Sequence, residues 1–258
     1  MNNLLPFAES LLCWQLTNYA TGSDPVRGDN NSLHLGHPKR EQPAWLRWIA
    51  LRSLCGALLL LLLNRFAWTS CLLAGCLLVG SLVVPVARRY LIPLTSLAEF
   101  EVAANSAIAL IAWLICIQRP DHASPVWIPQ LNSSQLAALC ICTALLIYMI
   151  RGGSFFVRGI LAKAGSLPGP SESNAPSTTV YRHGTLIGQV ERVIVVLIVM
   201  TGNYATLAFF FAAKGLIRSR ELEERTLADY FLLGSPSSFL LALVAGMIMQ
   251  NTIARLCK

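Results

Sequence analysis

The chain has few charged residues: only 13% of its 258 residues are Asp, Glu, Lys or Arg, whereas hydrophobic residues make up 55%. A water-soluble domain carries about 25% charged residues, which cover its surface. The low charge therefore excludes an ordinary soluble fold and predicts an integral membrane protein that contacts the lipid bilayer. The net charge of +7 is explained by membrane topology and by attraction to anionic lipids, so we expect no nucleic-acid partner.

The sequence also lacks the short motifs of common enzymes. It contains no GxxxxGK[ST], GxGxxG, HExxH or GxSxG, which excludes the usual phosphate-binding loops and hydrolase sites. His34 and His37 have a spacing seen among metal ligands, but Gly36 and Pro38 interrupt any helix that would aim both rings at one ion. We therefore predict no catalytic residue, no metal and no cofactor, and an enzyme is the less favoured class.

None of the eight cysteines forms a CxxC pair. Six lie inside apolar runs, where a thiol packs as a small hydrophobic group rather than as half of a disulfide. These six are Cys55, Cys71, Cys76, Cys116, Cys140 and Cys142.

Long apolar runs, in contrast, are abundant. They predict an all-α fold, a polytopic membrane helical bundle with about six transmembrane helices. The fourth run is short for a hydrophobic core of about 30 Å, so it is tilted or partly re-entrant in this interpretation. The predicted spans are residues 45–63, 66–86, 97–117, 135–150, 188–213 and 230–250.

Polar stretches divide the chain into four predicted regions. Residues 1–44 form an N-terminal polar segment, whose residues 11–19 predict a short interfacial helix. No Lys or Arg occurs in the first twenty residues, so we expect no cleaved secretory leader. Residues 45–150 form a four-helix membrane region. Residues 151–184 form a cytoplasmic amphipathic segment and flexible linker, and 185–258 carry the last two membrane helices.

The positive-inside rule favours a cytoplasmic N-terminus. With both ends inside, thirteen Lys and Arg residues lie on the cytoplasmic side and six on the other. Four of those six are in one loop, so this loop is the weak point of the six-span topology. If it is cytoplasmic instead, one of the last three spans must be re-entrant. The four are Lys214, Arg218, Arg220 and Arg225.

The fifth predicted span carries the most informative pattern. Arg192, Asn203 and Lys214 are spaced by eleven residues, and eleven helical steps return to nearly the same face. In a continuous helix, Arg192 and Lys214 lie about 33 Å apart and cap opposite interfaces. Asn203 then lies at mid-depth, beside Gly202.

This stripe has two interpretations. In the functional one, Glu191, Arg192, Asn203 and Lys214 form a polar locus at the bilayer centre, around a helix broken locally at Gly202. In the structural one, which we favour, Asn203 bonds a neighbouring helix while the two cations extend to the interfaces. Glu191 needs an ionic partner at the membrane edge. The candidates are Arg88, Arg89 and Arg151.

The sixth predicted span carries a stripe of small residues that allows close helix approach. Its position predicts an internal contact with the fifth span, with a homodimer seam as the alternative. Pro236 is expected to kink or start this helix. The stripe consists of Gly234, Ser238, Ala242 and Gly246.

Two carboxylates, Glu99 and Glu101, precede the third apolar run, and Asn105 lies one turn after Glu101. A pair of carboxylates inside a membrane can bind protons or cations. Their position in the first turn favours interfacial groups near Arg88 and Arg89 instead.

Three segments of the C-terminal part read GTLIGQVER (184–192), AAK (212–214) and DYFLLGS (229–235). This pattern resembles a bacterial integral-membrane family classed as a domain of unknown function, in which G-x-x-I-G-x-x-E-R, A-A-K and E-Y-x-L-I-G-T recur. The chain departs from it at Asp229 and Ser235, and its first helix lacks the His and Asp of such proteins. The resemblance implies a bacterial inner-membrane protein and no known reaction.

Two function classes remain. The polar locus predicts transport or permeation of a small solute or ion. The small-residue stripe, together with the lack of catalytic motifs, predicts a non-catalytic scaffold or assembly partner of another membrane protein. A lipid-acting enzyme that holds a phosphate head group with Arg192 or Lys214 is disfavoured, because no nucleophile and base are evident.

Overall fold

The computed structural model describes residues 4–20, 42–63, 68–117, 132–165, 178–218 and 225–256, and these residues are almost entirely helical, with no strand among them. Helices suit the long apolar runs, because backbone groups in lipid must find hydrogen bonds within their own segment. The nine α-helices of the described ranges are α1 (Leu4–Gln15), α2 (Gln42–Leu63), α3 (Trp68–Tyr90), α4 (Leu97–Ile117), α5 (Ser133–Ile147), α6 (Gly153–Lys163), α7 (Thr178–Thr201), α8 (Tyr204–Arg218) and α9 (Arg225–Leu256).

Short helical turns of other types adjoin these helices. A π-helical turn, Leu16–Ala20, extends α1, and a second one, Tyr148–Gly152, joins α5 to α6. A 3₁₀ turn, Leu94–Ser96, precedes α4. The predicted polar loops and the linker fall largely outside the described residues, as do Asn64, Arg65 and most of the loop after Arg218.

Four helical segments of the described chain are long and apolar enough to cross a membrane, with mean hydropathy between 1.8 and 2.2. A further apolar helix, Tyr204–Leu216, is shorter. The all-α prediction is confirmed, and these segments support a membrane-embedded protein. The four are Ser70–Arg88, Leu97–Ile117, Ser133–Lys163 and Leu232–Leu256.

Helix α2 shows which surface faces lipid. Several of its large residues point outward: Leu51, Leu54 and Leu58 are all more than half exposed. Its buried face combines the small residues Ser53 and Ala57 with Ile49 and Leu60. A helix in water would expose polar side chains instead, so an exterior of leucines fits contact with lipid.

Most predicted spans correspond to one helix each, but the fourth and fifth do not. The fourth continues beyond residue 150, through the π-helical turn to Lys163, so it is not short. The fifth is split into α7 and α8. Pro236 does not start a helix, which was one of its two expected effects, because α9 begins at Arg225 and continues through Pro236.

The helices form two compact units. Unit 1 comprises Met1–Ile92, Val102–Ile147 and Thr252–Lys258, and unit 2 comprises Pro93–Glu101 and Tyr148–Asn251. The break between α5 and the π-helical turn lies close to the predicted boundary at residue 150. Unit 2 additionally takes the first turn of α4, which sequence patterns did not separate from the rest of that helix.

Unit 1 encloses α1, which differs from the predicted interfacial helix. Trp14 and Tyr19 are 1% and 2% exposed, so they do not lie at a water boundary. The free thiols of Cys13 and Cys116 pack in the same apolar cluster as Leu60. Cys116 therefore acts as a small packing group, as predicted, and Cys13 does the same.

Candidate functional site

Helices α7 and α8 form an antiparallel hairpin in unit 2. Gly202 adopts a left-handed conformation (φ +71°) that ends α7, as glycine commonly does after the last helical turn. The side-chain oxygen of Asn203 then accepts a hydrogen bond from the backbone N–H of Thr206 at 3.2 Å, which caps the start of α8. The helix is broken at Gly202, as the functional interpretation of the stripe required.

The hairpin brings Lys214 back to the level of Glu191. The Lys214 ammonium contacts the Glu191 carboxylate at 2.5 Å, and the two side chains are only 17% and 19% exposed. The prediction that Arg192 and Lys214 cap opposite interfaces is therefore wrong, because it assumed a continuous helix. Glu191 does have an ionic partner, but the partner is Lys214 rather than one of the predicted arginines.

Arg192 is buried in unit 2, with 4% of its surface exposed. Its Nε donates to the carbonyl of Met149 at 2.7 Å, and Nη1 donates to the hydroxyl of Ser238 at 3.0 Å. Nη2 donates to the carbonyl of Ile150 at 3.3 Å and to the hydroxyl of Ser154 at 2.9 Å. These four acceptors are neutral, so they hold the guanidinium in place without cancelling its charge.

The π-helical turn between α5 and α6 explains why carbonyls are available to Arg192. A π-helical turn shifts the backbone hydrogen-bond pattern within a helix, and such turns are frequent at functional sites. The π-helical turn ends at Gly152, and Gly153 follows it. Because Gly153 has no side chain, the Arg192 guanidinium can approach this backbone closely: a Cβ on Gly153 would lie 3.1 Å from Nε of Arg192. Sequence reasoning missed this glycine pair, although two adjacent glycines inside an apolar run are a recognisable signal.

Three of the four predicted locus residues line one shallow, open pocket between α7, α8 and α9. Among the described residues that line it, Glu191 is the sole carboxylate and faces two cations. Its polar lining consists of Glu191, Arg192, Lys214, Ser235 and Ser238. Its apolar lining consists of Val195, Phe210, Phe211 and Phe239. The aromatic side of the pocket was not predicted.

Asn203, the fourth predicted residue, is not part of this pocket. It is exposed at the tip of the hairpin, where it caps α8. At the same end of the hairpin, a Cβ on Gly202 would lie 3.5 Å from the side chain of Gln250, three turns along α9 from Ser238. The polar locus therefore separates into a charged pocket and an uncharged tip.

The small-residue stripe of α9 packs inside unit 2, as predicted for its internal alternative. A Cβ on Gly246 would lie 2.8 Å from Cβ of Val199 on α7, and Ala242 is completely buried. Gly234 faces Leu161 of α6, and Ser238 bonds Arg192. The stripe is thus occupied by α6 and α7, and a homodimer through it has no support.

The two carboxylates of α4 have different environments. Glu99 pairs with Lys163 at an exposed surface, where both side chains are about two-thirds exposed. Glu101 is completely buried within the protein, in contrast to Glu99. Glu101 follows Glu99 by two residues, so the two side chains lie on opposite sides of the helix.

A second polar cluster in unit 1 was also missed. The Asn105 carbonyl oxygen accepts hydrogen bonds from Trp14 Nε1 at 3.0 Å and from Gln15 Nε2 at 3.2 Å. Its amide nitrogen donates to the hydroxyl of Tyr19 at 3.0 Å, and the Arg88 guanidinium lies over the Tyr19 ring. The contacts join α1 to α4 across about ninety residues of sequence, which no local pattern reveals.

Comparisons with known proteins found no match to a family model, a curated protein or a solved structure. The resemblance to a bacterial membrane family therefore stays a prediction. Among the described residues no group of three or more His, Cys, Asp or Glu side chains is placed to hold a metal. The charged pocket of unit 2 is therefore the candidate binding site.

Proposed function

We propose that this chain is a multi-pass protein of the bacterial inner membrane that binds a small anion in the unit 2 pocket, as a step in its transport or permeation. The observation that carries the proposal is the imbalance of charge in the pocket: the Arg192 and Lys214 cations face one carboxylate, Glu191. Charged groups inside membrane proteins are expensive and mark functional sites by default. An anion in the pocket balances the surplus.

The broken helix supports transport rather than simple packing. Discontinuous helices line the binding sites of many transporters, because irregular backbone at membrane depth is tolerated where it faces protein or a wet cavity. The exposed hairpin tip carries Thr201, Asn203 and Thr206, whose polar groups suit contact with water. Asn203 does not line the unit 2 pocket, so the proposal does not rest on this residue.

The hairpin also supports a revised topology. Both of its outer ends lie on one side, so Lys214 and the end of α8 at Arg218 share the side of the start of α7. We place this side in the cytoplasm, together with the N-terminus, because four cations then move to the positive side. Arg255, at the far end of α9, lies on the other side in exchange. The hairpin is the re-entrant element that the six-span topology lacked.

A scaffold role is the weaker proposal, because the stripe that motivated it packs against α6 and α7 within this chain. A partner would have to bind elsewhere on the apolar exterior, which the lipid bilayer already covers.

Replacing Lys214 by glutamine is expected to lower anion flux by about ten- to a hundredfold, since a charge-assisted contact contributes about 1.5–3 kcal/mol. The measurement is swelling of vesicles that contain the purified chain and valinomycin, exposed to potassium chloride, potassium phosphate or potassium glycerol phosphate. Stopped-flow light scattering reports the rate for each salt.

The matched control is Lys163→Gln, which removes the lysine of the exposed Glu99 ion pair. It should leave flux unchanged. If the wild-type chain gives no flux above empty vesicles for any of these salts, transport of small anions is refuted.

A further inference from the structure

We propose that the ligand of the unit 2 pocket is the phosphate head group of an anionic phospholipid. This inference rests on the proposed function, because it names the ligand of the same site. Three properties of the pocket support it: its unbalanced charge, its aromatic wall and its depth in the membrane.

The charge of the pocket fits a monoanion. Among the described residues that line the pocket, Lys214 and Arg192 contribute two positive charges and Glu191 one negative charge, which leaves one positive charge to balance. The acceptors that surround Arg192 are two carbonyls and two hydroxyls, which are neutral and so do not supply the balancing negative charge. A phosphodiester carries one negative charge and adds no further imbalance.

Donors remain for the phosphate oxygens. Arginine has five N–H groups, and the described contacts of Arg192 use four of them. The remaining one is on Nη1, the nitrogen that bonds Ser238 at the pocket lining. The Lys214 ammonium has three N–H groups, of which the Glu191 contact uses one.

The aromatic wall indicates that the ligand also carries an apolar part. Phe211 and Phe239 lie on one side of the pocket, with ring centroids 5.0 Å apart. Phe211 is 46% exposed, and Phe209 and Leu216 on the same helix are about three-quarters exposed. An inorganic ion would contact only the charged side of the pocket, whereas acyl chains also pack well along this apolar surface.

The size of the pocket limits how much of the ligand is enclosed. The pocket is open and encloses only about as much space as one water molecule needs, so a phosphate group sits at its mouth and no whole lipid is enclosed. The chains must leave through the opening and follow the exposed face of α8.

The depth of the pocket also matches a head group. Gly234 of α9 faces Leu161, near the end of α6 where Lys163 forms its exposed ion pair. Ser238, which bonds Arg192, follows Gly234 by one helical turn, or about 6 Å. The charged pocket therefore lies within the first two turns of the apolar segment Leu232–Leu256, the depth expected of a lipid head group.

Native mass spectrometry of the purified full chain in a neutral detergent tests the proposal. The probes are dihexanoyl phosphatidylglycerol, the zwitterionic dihexanoyl phosphatidylcholine and soluble glycerol 3-phosphate. We expect phosphatidylglycerol to bind about tenfold more tightly than either of the others, because it alone combines a net negative charge with acyl chains.

Two substitutions should change this affinity in opposite directions. Lys214→Gln should weaken phosphatidylglycerol binding about tenfold, whereas Glu191→Gln should strengthen it several-fold because it removes the competing carboxylate. Lys163→Gln serves as the matched control and should bind like the wild type. The gain expected for Glu191→Gln cannot arise from misfolding, so the test does not depend on a loss alone.

Equal binding of the two lipids, or a loss of affinity in both pocket variants, would overturn the proposal. Glycerol 3-phosphate binding as tight as that of phosphatidylglycerol would also overturn it, because the source would then be a free phosphate. Salt flux without lipid binding refutes the lipid and leaves transport of small anions standing. Lipid binding without salt flux refutes that transport and supports the lipid.

Discussion

Arg192→Met is expected to destabilise the folded chain by about 3–5 kcal/mol. The substitution removes the donor of four hydrogen bonds, to Met149, Ile150, Ser154 and Ser238. Buried acceptors left without a donor each cost about 1–3 kcal/mol. Unfolding of the purified chain by titration with sodium dodecyl sulfate measures the change.

Arg192→Lys distinguishes the contribution of the positive charge to stability from the contribution of the planar guanidinium geometry. Lysine keeps the charge, but its single nitrogen cannot reach acceptors that surround a planar guanidinium, so only part of the stability should return. Arg255→Lys is the matched control at an exposed position and should be neutral. If Arg192→Lys were as stable as the wild type, the fork of contacts to the π-helical turn would not contribute to the fold.

Gly246→Leu is expected to destabilise the chain by about 3 kcal/mol, because overpacking of this size costs at the upper end of the usual range. A Cβ at this position already lies 2.8 Å from Cβ and 2.9 Å from Cγ1 of Val199, so leucine has no room between α9 and α7. The same detergent titration measures the loss. The better helix propensity of leucine, worth about 1 kcal/mol over glycine, offsets only part of it.

Gly75→Leu is the control for helix propensity, because a Cβ on Gly75 meets nothing within 4 Å. It should be neutral or slightly stabilising. Equal effects of the two substitutions would show that α9 does not pack on α7 through Gly246, and the stripe would then be free for a partner.

The sequence was sufficient to predict the helices but not the path of the chain between them. Hydropathy located α2, α3, α4 and α9, because the need to bury backbone polar groups in lipid acts locally. The hairpin was harder, since an apolar run without proline favours one continuous helix. Gly202 and Asn203 are the signals that were available: a left-handed helix end followed by a capping residue.

The candidate site was predicted only in part. The spacing of Arg192 and Lys214 singled them out, but the spacing argument placed them far apart. Their proximity depends on a two-residue turn, and the anchoring of Arg192 depends on carbonyls of a π-helical turn. Hydrogen-bond patterns of that kind, like the contacts of Asn105 with α1, arise from tertiary packing and leave no periodic signature.

The distance between Val190 and Leu216 tests the central claim, that the α7–α8 hairpin joins Glu191 and Lys214 at one pocket. Both positions are exposed, at 58% and 76%, so they accept labels. Encoded p-acetylphenylalanine residues coupled to nitroxides leave the native cysteines in place, and double electron–electron resonance measures the separation. The hairpin predicts about 20 Å or less, since packed helices lie about 8–10 Å apart. A separation near 39 Å, the length of 26 residues in one straight helix, would contradict the hairpin and the pocket together.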